Sequence, residues 1–567
     1  MNRKSILWLQ LVVITCVAMV ASSCSKKLDP LSANLFTASP APLELVGTKV
    51  PVVVNGRIPA KWFNKNAELT ITPVLKYQGG EALGTPFYYQ GENVAGNNII
   101  VRESTGASIT MGSEFDYVPA MQKSELYLRF EASIKGKKFS FPDVKIADGV
   151  VASAAFADPL TTTPSIAPDK FQKSIQEAYD AEIMFLIQQA ELRSSELNSG
   201  DLSAWKKLVA DADKDVKKNV NVEISAYASP DGGFKLNEAL AEKRERNTTG
   251  YLEKEFKKSN VDADITAHYT AQDWDGFRKL VEASNLQDKN LIISVLSMYN
   301  DPAEREREIK NISVVYKDLA ETILPKLRRS RLTAYVEVIG KTDDELRSAV
   351  ASNMGSLSVE ELLYAATLTN VATEKERIYS YVTSKYPNDY RGWNNLGAVY
   401  LQTGLTDQAA NAFQKAAQVN SRSAESNMNL ALLALADNNT SKAEQLLGNA
   451  AGANNLNEAL GVMYLKKGDY AKAAQSFGNV ATNNSALAQI LNKNYSKAQQ
   501  ILDSVSRKDA TTYYLNAIVA ARTNNTSGVV SGLKKAIQID PDLKTSAFND
   551  LEFSKFLSNN DVLNALR

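Results

Sequence analysis

The chain has 567 residues, enough for several domains, and its 64 basic residues balance 64 acidic ones. Zero formal charge removes any global electrostatic argument for nucleic acid as a partner. One histidine and two cysteines withhold the usual parts of metal centres and nucleophile–histidine sites, and no phosphate-binding or dinucleotide glycine loop occurs, so no enzyme, metal or cofactor is expected.

At the N-terminus, Arg3 and Lys4 precede an apolar run, Ile6–Val20, which ends in Ala21-Ser22-Ser23-Cys24. Charged residues, a short hydrophobic stretch and small residues describe a secretory signal over residues 1–23. The small residues before Cys24 resemble the lipobox of bacterial lipoproteins, with Ala21 where that family usually has Leu. The resemblance implies lipidation of Cys24 and an outer-membrane anchor. Cys16 would leave with the signal, and a lone cysteine in an exported chain then has a use. Ser25-Lys26-Lys27 follows, whereas surface-exported lipoproteins of the Bacteroidetes tend to be acidic there, which points to the periplasmic face.

Residues 24–42, rich in Ser, Ala and Pro, read as a tether. From 43 to 152, short β runs (Val50–Val54, Ala67–Tyr77, Asn98–Arg102, Ser124–Ile134, Lys138–Val144) alternate with turn residues, which predicts an antiparallel β-sandwich of immunoglobulin-like type. Trp62, Phe63, Tyr88, Tyr89 and Phe130 fit core or rim positions. Residues 153–168 are small, polar and proline-containing, a linker or covering loop.

Residues 169–340 read as an α+β unit: strand Glu182–Gln188, helix Leu202–Ala212, strand Val222–Ala228, helix Lys235–Lys258, strand Ala263–Ala271, helices from Trp274 to Leu327, and a closing strand Leu332–Ile339. His268 falls in an alternating strand run and is expected to be structural. Asp211, Asp213 and Asp215 lack the glycine and glutamate of a calcium loop and are expected at a solvated helix end. On helix Lys235–Lys258, Asn237 and Arg244 lie seven residues apart and share a face above a Pro230–Gly232 turn, a plausible carboxylate-binding corner.

That segment resembles the C-terminal domain of the OmpA family, an α/β sandwich that binds peptidoglycan; Asn237, Leu240 and Arg244 match its Asn, Leu and Arg without a gap. The family's Asp falls on Ser229. Ala228-Ser229-Pro230 and the later Asp273-Trp-Asp-Gly-Phe277 resemble the extended variant found in Bacteroidetes envelope proteins, with Asp231 the nearest acidic candidate. The resemblance implies that Arg244 and Asn237 hold the free carboxylate of the peptide-stem diamino acid, with Ser229 and Asp231 completing the site.

From 356 to 567 the chain is helical and repetitive. Trp393, Leu396, Gly397, Tyr400, Ala409, Phe413 and Ala416 occupy tetratricopeptide signature positions, and further copies follow at about 34 residues. A degenerate first repeat is expected over Glu360–Ser384, and a fourth that has lost most of its first helix. Together they predict an all-α superhelix with a concave face for an unidentified envelope protein. The whole reads as an anchored periplasmic lipoprotein that contacts peptidoglycan and scaffolds a protein complex. The alternative is a pure protein scaffold of a secretion or membrane-assembly machine with no wall contact. A nutrient-binding lipoprotein of the starch-utilisation type fits less well, because those are helical nearly from the anchor.

Overall fold

A computed structural model describes residues 30–566 except Ile312. The predicted signal and Cys24 lie outside the described residues. Asp169–Thr369 forms one compact unit; the segments through Pro168 and from Asn370 together form the other.

The expected tether is already folded where its description begins. Leu31 and Phe36 are buried, and strand Phe36–Ser39 pairs antiparallel with strand Lys49–Ile58. Small and proline-rich composition conceals this, since the pairing uses the main chain. Strand Ala107–Asp116 completes a three-stranded sheet. A larger sheet is built on Ala67–Tyr77 and Ser124–Ile134, paired antiparallel over their full lengths. Alternating residues of both sheets (Val50, Val52, Val54; Leu69, Ile71; Leu126, Leu128, Phe130) fill one core, as period-two patterning requires. The predicted strand Lys138–Val144 divides into Lys137–Ser140 and Val144–Asp148 around Pro142, which has no N–H for a ladder. Strands Phe87–Gly91 and Ile99–Val101 pair in parallel, a departure from the all-antiparallel expectation. Phe63, Tyr89 and Phe130 are core residues, whereas Tyr88 is exposed.

The other unit centres on a four-stranded sheet. Its strands are β1 (Ser174–Met184), β2 (Lys218–Tyr227), β3 (Asp264–Thr270) and β4 (Arg329–Ile339), in the spatial order β1-β4-β2-β3. β4 is antiparallel to both neighbours, and β2 and β3 are parallel. β1 begins well before the predicted Glu182: its exposed, polar first half lacks a hydrophobic signal and is fixed by pairing with β4. Helices α1 (Gly200–Asp213) and α2 (Phe234–Ser259) bury Leu202, Trp205, Val209, Leu252 and Phe256 against the sheet. Residues 274–327 form a second, helical core around Trp274, Phe277 and Leu296.

The unit extends past the expected boundary at 340. Thr342 and Ser358 each start a short helix with a reciprocal cap, closed by Glu345 and Glu361. Lys217 reaches Glu345, and Phe171 stacks on Tyr364 with ring centroids 4.6 Å apart. The first half of the expected degenerate repeat, helix Val359–Ala365, therefore belongs here; its second half, Ala372–Lys385, leads into the repeats.

Five helix pairs follow: Tyr390–Gln402 with Thr406–Val419, Ala424–Ala436 with Thr440–Gly448, Leu456–Lys467 with Tyr470–Phe477, Asn483–Leu491 with Tyr495–Ser504, and Ala510–Arg522 with Thr526–Ile539. Each pair sets a small residue of its first helix (Gly397, Ala431, Gly461, Ala486, Ala517) sixteen positions before a large one of its second (Phe413, Leu447, Phe477, Leu502, Leu533). A Cβ on Gly397 would lie 2.7 Å from the Phe413 ring, so the helices can approach this closely only with glycine there. Each turn between paired helices carries a left-handed residue at the same position: Gly404, Asn438, Gly468, Lys493 and Asn524. The C-terminal region is thus a tetratricopeptide-type array. Its fourth repeat keeps a nine-residue first helix, N-capped by Thr482, where the sequence predicts near loss. Among the described residues no helix is long and apolar enough to cross a membrane.

Candidate functional site

The predicted corner in the α/β unit does assemble. The buried stripe of α2 runs Asn237, Ala241, Arg244, Thr248, Leu252, Phe256, polar in its first turns and apolar in its last. Asn237 is 4% exposed, and its Nδ2 donates to the carbonyls of Ser229 (3.0 Å) and Gly232 (2.8 Å), closing the turn onto the helix. Ser229 Oγ donates to Asp231 (2.6 Å).

Arg244 is fully buried. Its guanidinium donates to the carbonyls of Gln189 (2.9 Å), Tyr227 (2.7 Å) and Leu186 (3.2 Å), and lies 4.8 Å from the centre of the Phe185 ring. Burial, then the like charge of Arg328, pull its pKa down to about 10, with Asp231 opposing, so it stays charged at neutral pH. The guanidinium that the sequence reading places in a carboxylate-binding corner is thus buried and bonded to main chain. Three donors are spent on main chain, pinning the segment after β1 and the end of β2 to α2.

Two further arginines complete the cluster. Arg328 pairs with Asp231 at 3.0 Å and reaches Ser229 Oγ at 3.3 Å, while Arg329 pairs with Asp273 at 3.1 Å. They precede and open β4, and the antiparallel register that places Ser330 opposite Ala226 brings them level with the turn. Nothing near the motif in sequence announces them.

On the same sheet, His268 Nε2 lies 2.9 Å from Ser225 Oγ and 3.4 Å from Glu223. Serine and carboxylate meet the same ring nitrogen, so the imidazole cannot relay a proton between them as a catalytic triad does. Among the described residues no group of three or more His, Cys, Asp or Glu is placed to hold a metal ion.

The repeat groove holds the larger surprise. Residues 157–168, expected to be a linker or covering loop, run along the first helices of the repeats, from the fourth pair back to the first. Asn395, Asn429 and Asn484 sit at the same position of three repeats, each two residues before the small packing residue. Each grips the main chain of one strap residue at both its N–H and its carbonyl. Ala167 donates to Asn395 Oδ1 at 2.8 Å and accepts from its Nδ2 at 2.9 Å. Ser165 and Asn429 pair likewise at 2.8 Å in both directions, and Asp158 and Asn484 at 3.0 and 2.7 Å.

Asn394 adds a donor to the Ser165 carbonyl (3.0 Å) and accepts from Asn429 Nδ2 (3.0 Å). Successive grips at Ser165 and Ala167 are two residues apart, the period of an extended strand. Asn394, Asn395, Asn429 and Asn484 are all at most 4% exposed, so these amides need the strap as much as it needs them. Phe156, Ala157, Leu160 and Ile166 pack on the apolar core of the repeats.

The sheet region is fixed to the same array. Tyr470 Oη accepts from Gly47 N and donates to Leu45 O, both at 3.2 Å, and Glu552 joins Arg522 to Ser153.

No protein-family model and no curated protein sequence matches the chain. Among solved structures it is similar to a tetratricopeptide repeat protein from Parabacteroides merdae (15% identity over 40% of this chain and 91% of that one, TM-score 0.28). It is also similar to PilF of Pseudomonas aeruginosa (18%, 39% and 100%, 0.28) and to the type IV pilus biogenesis factor PilW (14%, 40% and 100%, 0.25). Superpositions this loose carry no functional argument; the repeat assignment rests on the packing and turn positions described above.

Proposed function

We propose that this chain is a protein-interaction scaffold of the bacterial envelope, held by a lipid on Cys24 at the periplasmic face of the outer membrane, and not an enzyme. The observation that carries the scaffold reading is the single body made by the N-terminal sheets, the strap and the repeats. Buried amides, Tyr470 and the Arg522–Glu552 pair lock them together into one platform. The sheet order β1-β4-β2-β3 and the strand–turn–helix around Asn237 support an OmpA-like identity for the other unit.

Wall contact is the second reading. Arg328 is paired with Asp231, whereas Arg244 spends its bonds on carbonyls and has no carboxylate in direct contact among the described residues, so the corner offers a charge that a peptide-stem carboxylate would complement. Under that reading Arg328, on the rim, meets the ligand, while Arg244 holds the corner in shape.

Retention on purified peptidoglycan separates the two. The scaffold reading expects none, and the full chain should instead leave detergent-solubilised membranes with a stoichiometric protein partner. Retention of the native chain, lost in Arg328→Ala, would favour the wall; a chain that elutes alone and binds no wall would remove both. The anchor is tested by fatty-acid labelling, which Cys24→Ser should abolish.

A further inference from the structure

The strap is an imperfect ligand for the groove that holds it. Its main chain is well paired, yet Thr162 Oγ1 and Ser165 Oγ are buried without a hydrogen-bond partner among the described residues. A buried hydroxyl with no partner weakens the hold of whatever carries it. Asn395 and Asn429 grip the strap through backbone alone, and Asn484 adds only one side-chain contact, to Thr161 Oγ1 at 3.2 Å, so the clasp depends little on the side chains of the segment it holds. The hydroxyls of Thr162 and Ser165, in contrast, meet no partner among the described residues.

We propose that the concave groove is a peptide-exchange site in which residues 157–168 are the resident ligand. Its external occupant is an extended peptide segment with apolar, alanine- or valine-sized side chains where the strap has Ser165 and Thr162. Such a segment makes the same main-chain bonds and avoids the two stranded hydroxyls. The strap holds its place through covalent attachment, which keeps its effective concentration in the groove high, roughly millimolar for a short flexible connection. The groove therefore excludes weak free peptides and admits a partner that is better matched or delivered locally. This inference concerns the repeats alone and is independent of wall binding.

The test uses the full chain in detergent and fluorescent peptides spanning 157–168. Ser165→Pro with Ala167→Pro opens the strap, because proline keeps an extended backbone but removes the N–H groups that Asn429 and Asn395 accept. The native chain should bind no peptide at micromolar concentration. The opened variant should bind the native-sequence peptide saturably, and a peptide carrying Thr162→Val and Ser165→Ala about tenfold more tightly. Adding Asn429→Ala should abolish both.

Equal binding by native and opened chains, tighter binding of the native-sequence peptide, or no binding by an opened variant that retains the native repeat helicity would each overturn the proposal. Should the opened variant not fold, the same two substitutions in the intact chain decide. Thr162→Val with Ser165→Ala should slow amide exchange across 158–168 by about tenfold; unchanged or faster exchange would overturn the proposal.

Discussion

Replacing Asn429 by alanine removes one rung of the clasp, and the structure sets the cost. Asn429 Oδ1 accepts from Ser165 N at 2.8 Å, and its Nδ2 donates to Ser165 O at 2.8 Å and to Asn394 Oδ1 at 3.0 Å. Ser165 O keeps a second donor in Asn394, and Asn394 Oδ1 keeps Ser426. The Ser165 N–H loses its acceptor in a fully buried place. One orphaned buried donor costs about 1–3 kcal/mol, and each of the two other lost bonds about 0.5–1.5 kcal/mol, together about 2–6 kcal/mol. If the strap opens locally, amide exchange across 157–168 should then accelerate by about 30-fold or more.

Asn455→Gly is the matched control. Asn455 is exposed, contacts Thr163 O at only 3.4 Å, and has a left-handed backbone that glycine accepts. Its removal should change strap exchange by less than about twofold, within the usual effect of a surface change. Hydrogen exchange read by mass spectrometry compares native, Asn429→Ala and Asn455→Gly chains. Equal exchange in all three, or equal acceleration by both substitutions, would refute the assignment of the strap's stability to the buried amides.

Three other predictions follow from the same body of contacts. Lys493 alone among the five inter-helix turns is a side-chain-bearing residue other than asparagine at positive φ (61°), so Lys493→Asn should raise the melting temperature, by about 0.5–1 kcal/mol of stability. Tyr470→Phe strands Gly47 N and Leu45 O and should destabilise the sheet–repeat body by about 1–3 kcal/mol, seen as a lower denaturant midpoint. Burial raises the Asp550 carboxyl to about 6, with Tyr514 Oη donating to it at 2.8 Å. Between about pH 4 and 6 the folded chain keeps a proton that the unfolded chain has released, so stability from this group falls as pH rises through that window. Asp550→Asn should accordingly melt higher than the native chain at pH 8, with the gain fading toward pH 4.

The repeats were legible because their signal is a period: Gly397 and Phe413 recur as Gly461 and Phe477, and the fold reproduces that spacing. Strands Ala67–Tyr77 and Ser124–Ile134 were legible for the same reason, since alternation reports a half-buried sheet directly. The corner on α2 was legible as a constellation, but the burial of Arg244 was not. Asn237 and Arg244 share a face in any helix, and only the continuation of that face into Leu252 and Phe256 says that it points inward.

Arg328 could not be found from its neighbours, because it reaches the turn through strand pairing over nearly a hundred residues of sequence. The strap was hidden more thoroughly. A segment recognised through its main chain carries no side-chain signature, and Ser, Ala, Thr and Pro read as linker. The trace lies on the other partner, in the asparagine repeated at positions 395, 429 and 484.

Residue-resolved amide exchange on the native full chain tests the clasp most directly. Ser165 and Ala167 each donate their N–H to a buried asparagine, and Ile166 lies between them. The account predicts slow exchange at 165 and 167 with faster exchange at 166, a period of two inside a segment of linker composition. Rapid exchange at all three positions, as in an open loop, would contradict it.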